Sequence, residues 1–109
     1  MSHEMIGLNH NGEEIAYVRF TMNDFYANII YDLFDAQEHN GGVSGKGYAE
    51  IYSFREVKNA CKTFDHLIEQ LCSKFDEDVI PWQLKEIKKF LTQCLLTAEK
   101  EENVSICYF

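Results

Sequence analysis

The chain has one proline in 109 residues and no internal repeat, low-complexity tract or linker-like run. A division into two domains has no seam to fall on, and the length suits one compact domain. No stretch approaches the roughly eighteen consecutive apolar residues of a membrane-spanning helix. The N-terminus, MSHEMIGLNHNG, lacks the basic start and apolar run of an export signal. The expected location is cytoplasmic.

Basic side chains are scarce: ten Lys and Arg stand against eighteen Asp and Glu, for a net charge of −8. That balance argues against direct binding to a nucleic-acid backbone, which calls for clustered cations. It favours rapid encounter with a basic partner. Close-set metal ligands are missing too. Cys61, Cys72, Cys94 and Cys107 form no CxxC pair, and His3, His10, His39 and His66 are scattered. Reduced thiols are expected, with no metal site and no cofactor. Asp35 and His39, four residues apart, are explained by a helix end with His near the negative dipole. No serine sits in a nucleophile elbow, and no Cys–His or carboxylate pair is marked by its spacing.

The glycine-rich stretch NGGVSGKG, residues 40–47, fails as a phosphate loop. Gly45-Lys46 is followed by Gly47 where Ser or Thr is needed, and Asn40 stands where the first glycine belongs. The context is also reversed, since the stretch leaves a helix and enters a strand. Its glycines read as a helix stop and an approach to a strand.

What is present is ample core material, 46% apolar with 14% aromatic residues. Asn11-Gly12 predicts a two-residue hairpin turn that would pair Leu8 with Ile15 and Ile6 with Tyr17, apolar residues on one face. A first helix follows, capped by Thr21 or Asn23, with Met22, Phe25, Tyr26, Ile29, Ile30, Leu33 and Phe34 on its apolar face and an end near Gly41. YAEIY alternates as a third strand. Ser53 and Glu56 have capping-box spacing, and Val57, Ala60, Cys61, Phe64, Leu67, Ile68, Leu71 and Phe75 form the stripe behind them. Pro81 suits the first position of a third helix, which buries Leu84, Ile87, Leu91, Cys94, Leu95 and Ala98. The closing NVSICYF reads as a last strand at the sheet centre. The fold class is α+β, one domain over 1–109 in the order β-β-α-β-α-α-β. A four-stranded, mainly antiparallel sheet carries three helices on one face.

No Lys or Arg occurs between Arg19 and Lys46. At the 3.6-residue period, Asp24, Asn28, Tyr31, Asp35 and Glu38 fall along one outward stripe of the first helix. A Tyr among carboxylates suits the binding of a basic protein partner. Trp82, Lys85, Lys89 and Leu96 lie on the third helix away from its apolar stripe, to contact either a partner or a second part of the core. The functional expectation is a non-enzymatic acidic binding protein of inhibitor or immunity type. It would occupy a basic surface on a partner, such as a nucleic-acid-acting toxin or defence enzyme. The alternative is a small-molecule-binding or catalytic domain with a pocket between sheet and helices, and a homodimer is a third reading.

Overall fold

Hairpin geometry sets the sheet register. The computed structural model describes residues 2–21, 24–36, 48–72 and 81–108. β1 (Ser2–Leu8) and β2 (Glu14–Thr21) are antiparallel. They are joined through a three-residue loop rather than the two-residue turn expected. Gly12 N donates to Asn9 O and Asn9 N to Glu13 O, each at 3.0 Å. Gly12 takes φ +78°, the left-handed step that closes such a loop. The Asn9 carboxamide oxygen accepts from the Asn11 and Glu13 backbone N–H groups. Leu8 therefore pairs with Glu14, not Ile15, and a bulge follows before Gly7 meets Ala16. The extra loop residue and the bulge cancel, so Ile6 faces Tyr17 as the alternation requires.

α1 (Ala27–Leu33), β3 (Tyr48–Ser53), α2 (Phe54–Cys72), α3 (Trp82–Glu101) and β4 (Asn103–Tyr108) complete the expected element order. The strands lie in the order β2-β1-β4-β3, all antiparallel. The final strand is thus central, as its apolar character predicts, and β2 and β3 form the edges. At the start of α2, Glu56 N donates to Ser53 Oγ at 3.2 Å and Ser53 N to Glu56 Oε1 at 3.1 Å, the reciprocal capping box. Pro81 is the N-cap of α3, one position earlier than expected, and Glu102 ends that helix with φ 74°.

One sheet face is the core. Met5, Val18, Phe20, Val104, Ile106 and Tyr108 are buried beneath the helices. α3 crosses β1, β2 and β4, while α2 packs on α3 and β3. Close approach needs a small residue below α3. A Cβ on Gly7 would stand 3.0 Å from Cys94 Sγ and 3.1 Å from Ala16 Cβ. Leu84, Ile87, Phe90, Leu91, Cys94 and Ala98 bury the inner stripe of α3, and Val57, Ala60 and Phe64 that of α2.

Candidate functional site

The segment before and through α1 carries most of the residues singled out in the sequence, and its local chemistry decides their positions. Asp24 organises the entry: its Oδ1 accepts from Tyr26 N at 3.0 Å, while Asp24 N donates to Thr21 O at 3.0 Å. This side-chain turn holds residues 24–26 outside the helix, so α1 begins at Ala27, later than Thr21 or Asn23 as caps would place it. It also ends early. Asp35 takes φ 51°, and Ala36 N donates to Tyr31 O at 2.7 Å, closing the helix with a left-handed cap six residues before Gly41.

A late start rotates the inward face. Ala27, Ile30, Tyr31 and Phe34, spaced i, i+3, i+4, i+7, are the buried set. Two assignments are corrected by this. Tyr31 is 0% exposed and cannot anchor a partner, whereas Phe25, expected in the core, is 84% exposed. Of the remaining stripe residues, Asp24 and Asn28 are half-buried and Asp35 is exposed. Glu38, the glycine-rich stretch, Phe75 and the expected helix end at Gly41 lie outside the described residues.

Tyr31 is held inside by polar as well as apolar contacts. His3, buried on β1, places Nδ1 3.0 Å from the Tyr31 hydroxyl, with the rings edge to face. The Tyr31 ring lies 5.7 Å from that of Tyr108, whose hydroxyl is 2.8 Å from the hydroxyl of Tyr52. Tyr52 donates onward to Glu50 Oε2 at 3.3 Å, so Tyr108 donates to Tyr52. Burial raises all three phenols: Tyr52 is pushed up to about 12, and Tyr31 and Tyr108 also move up. The hydrogen bond from Tyr108 pulls Tyr52 back down, less strongly than burial raises it. The chain of neutral hydroxyls is fully satisfied and is explained by core cohesion.

The outward side of this end is aromatic and acidic. Gln83 Nε2 donates to Asp24 Oδ2 at 3.2 Å, tying the entry of α1 to the first turn of α3. The sequence neighbours of this pair are Phe25 and Trp82. Trp82 is 58% exposed and stacks on the buried Phe20 ring at 6.3 Å. Two large aromatic surfaces therefore emerge beside one hydrogen bond. Asp32 is exposed on α1, Asp35 is exposed just beyond its end, and Lys85 is exposed on α3. Trp82 was legible as a residue off the main stripe of its helix. Phe25 was not, because its spacing fits the apolar period it does not join.

Two grooves lie elsewhere. One of about 110 Å³ runs between α2 and α3, where Lys88 Nζ bonds Asp65 Oδ1 at 2.8 Å and Cys61 Sγ donates to Leu91 O at 3.8 Å. Burial, with help from Asp65, raises the Cys61 thiol and keeps it protonated, unlike an activated nucleophile. The other, about 550 Å³ and open, lies between the β2 edge and α3, lined by Ala16, Tyr17, Glu86, Lys89, Phe90 and Gln93 among others. Among the described residues no three His, Cys, Asp or Glu side chains group as a metal site would need, and no helix is long and apolar enough to cross a membrane. Comparison of the chain with family models, curated proteins and solved structures finds no match.

Proposed function

We propose that the protein is a non-enzymatic binding protein whose aromatic and acidic end, formed by the α1 entry and the start of α3, occupies a basic surface on a partner protein. The observation that carries this reading is the exposure of Phe25 and Trp82, the sequence neighbours of the hydrogen-bonded Asp24 and Gln83, with Asp32 and Asp35 exposed at the other end of the same segment. Exposed aromatics of this size are the residues that dominate interface energies, and flanking carboxylates steer a cationic surface into register. The net charge of −8 adds a long-range attraction for the same class of partner. On this reading the partner would be a nucleic-acid-acting toxin or defence enzyme and the role that of an inhibitor or immunity protein, with carboxylates standing where phosphates would.

The test is affinity capture from native cells with wild type, a Phe25→Ala/Trp82→Ala variant and an Asp32→Lys/Asp35→Lys variant. The aromatic variant is expected to lose a basic partner through faster dissociation, and the charge-reversed one through slower association. Wild-type association should also slow as salt rises. A basic partner retained equally by all three proteins would sink the assignment.

A second reading rests on the open groove between β2 and α3, whose volume of about 550 Å³ falls in the range of small-molecule sites. A metabolite that raised the melting temperature of wild type but not of a Phe90→Trp variant would support it.

A further inference from the structure

β2 is an edge strand, and its outer side meets no other strand among the described residues. Edges of this kind are commonly blunted by proline, by lysine or by shortness. β2 is eight residues long, EIAYVRFT, with neither proline nor lysine. At its far end Thr21 O already accepts from Asp24 N. Beside the rest runs the open groove toward α3, with Ala16 and Tyr17 on one wall and Glu86, Lys89 and Gln93 on the other. Backbone N–H and C=O groups that face outward at every second residue suit one kind of occupant, an extended chain.

The order of charges along β2 selects which chain. Glu14, Tyr17 and Arg19 share the face away from the helices, because their partners Leu8, Ile6 and Glu4 alternate along β1 and the bulge brings Glu14 into phase. Glu14 and Arg19 are both exposed. A strand negative at one end and positive near the other is complementary to its own antiparallel copy. With a two-fold axis at Tyr17, Ala16 meets Val18 on the buried face and Glu14 meets Arg19 on the other, twice over. The next register that keeps the faces matched has its axis at Val18 and sets Glu14 against Thr21, with no cation. Arg19 lies 3.7 Å from Glu4, and a guanidinium has donors for both carboxylates. On and beside this edge Glu4, Glu13, Glu14, Asp24 and Glu86 still outnumber Arg19, Lys85 and Lys89. The pairing is therefore selected by where the charges sit, not by their sum, and it works against the general repulsion of two molecules of net charge −8.

We propose that β2 pairs antiparallel with β2 of a second copy, joining the four strands of each into one continuous sheet in a reversible, concentration-dependent dimer. This pairing does not depend on the partner-binding reading above, and it closes the groove that the second reading gives to a metabolite. Sedimentation equilibrium over a wide concentration range tests it, with far-UV circular dichroism confirming that each variant folds. Glu14→Arg and Arg19→Glu should each raise the dimer dissociation constant roughly tenfold, because the axis sets each like-charged pair twice. Glu14→Arg is the sharper of the two, since it lowers the net charge and would strengthen a dimer limited by general repulsion. The double variant Glu14→Arg/Arg19→Glu should recover most of the wild-type affinity. Lys62→Glu, exposed on α2 and equal to Arg19→Glu in its change of charge, should shift it less than about threefold. Amide exchange at alternate β2 residues should slow as protein concentration rises, with β3, the other edge, unchanged. A monomer at every concentration up to the solubility limit overturns the proposal. So does a double variant no tighter than either single one, or protection that rises along β3 instead of β2.

Discussion

Tyr31 and Phe25 sit six residues apart with opposite fates, and stability measurements separate them. Tyr31→Phe keeps the ring but leaves the buried His3 Nδ1 without the hydroxyl it meets at 3.0 Å, a loss of about 1–3 kcal/mol. Tyr31→Ala adds a cavity beside Tyr108, for about 3–5 kcal/mol in total. Phe25→Ala, at an exposed turn, should change stability by no more than about 0.5 kcal/mol. Urea unfolding of the three variants checks the ordering. A Phe25→Ala loss as large as that of Tyr31→Ala would contradict the placement of both rings. The same residues limit what spacing could reveal. Helical period assigns faces only once the first helical residue is known, and Asp24 moves that residue by holding the turn at 24–26.

At the scale of elements, α2 is the part whose start was most legible. A Ser–Glu pair three apart needs no distant residue to form its reciprocal bonds, and both are made. Ser53→Ala should cost about 1 kcal/mol, with faster hydrogen exchange confined to the first turn of α2. Exchange that instead rises along the whole helix would show that the cap is not local. The hairpin was legible in part. Period-two alternation requires Ile6 and Tyr17 to share a face, whatever the turn. The loop length was not legible, because a three-residue loop with a bulge and a two-residue turn without one give the same pairing beyond Gly7. α1 was the least legible, at seven residues too short for its own propensity to define its ends.

For the whole molecule, the buried phenols and thiols predict alkaline sensitivity. Tyr52 is raised by burial from its ordinary 10.0 to about 12, and Tyr31, Tyr108 and Cys94 also move up. A group whose folded pKa lies above its unfolded one contributes stability that is full below the unfolded value and lost as pH rises toward the folded one. Unfolding free energy should therefore fall once pH passes the ordinary thiol value of 9.0 and continue falling from 10.0 to about 12. Urea titrations across that range should show the decline, and Tyr52→Phe should make it shallower. A flat profile would mean that these groups are exposed to water in solution.

Element order, the α+β class and the central place of the apolar last strand followed from the sequence, because periodicity, caps and turn residues act over a few neighbours. The acidic balance followed as well, being a sum over composition. Strand order, the burial of Tyr31 beside His3, the exposure of Phe25 beside Asp24–Gln83 and the row of Tyr17, Ile6, Cys107 and Ala49 across the sheet were decided only in three dimensions. Each joins residues far apart in the chain, as with Tyr17, Ile6, Cys107 and Ala49. Such neighbours are set by the registers of whole strands and by which helix face the core accepts. No local pattern encodes either.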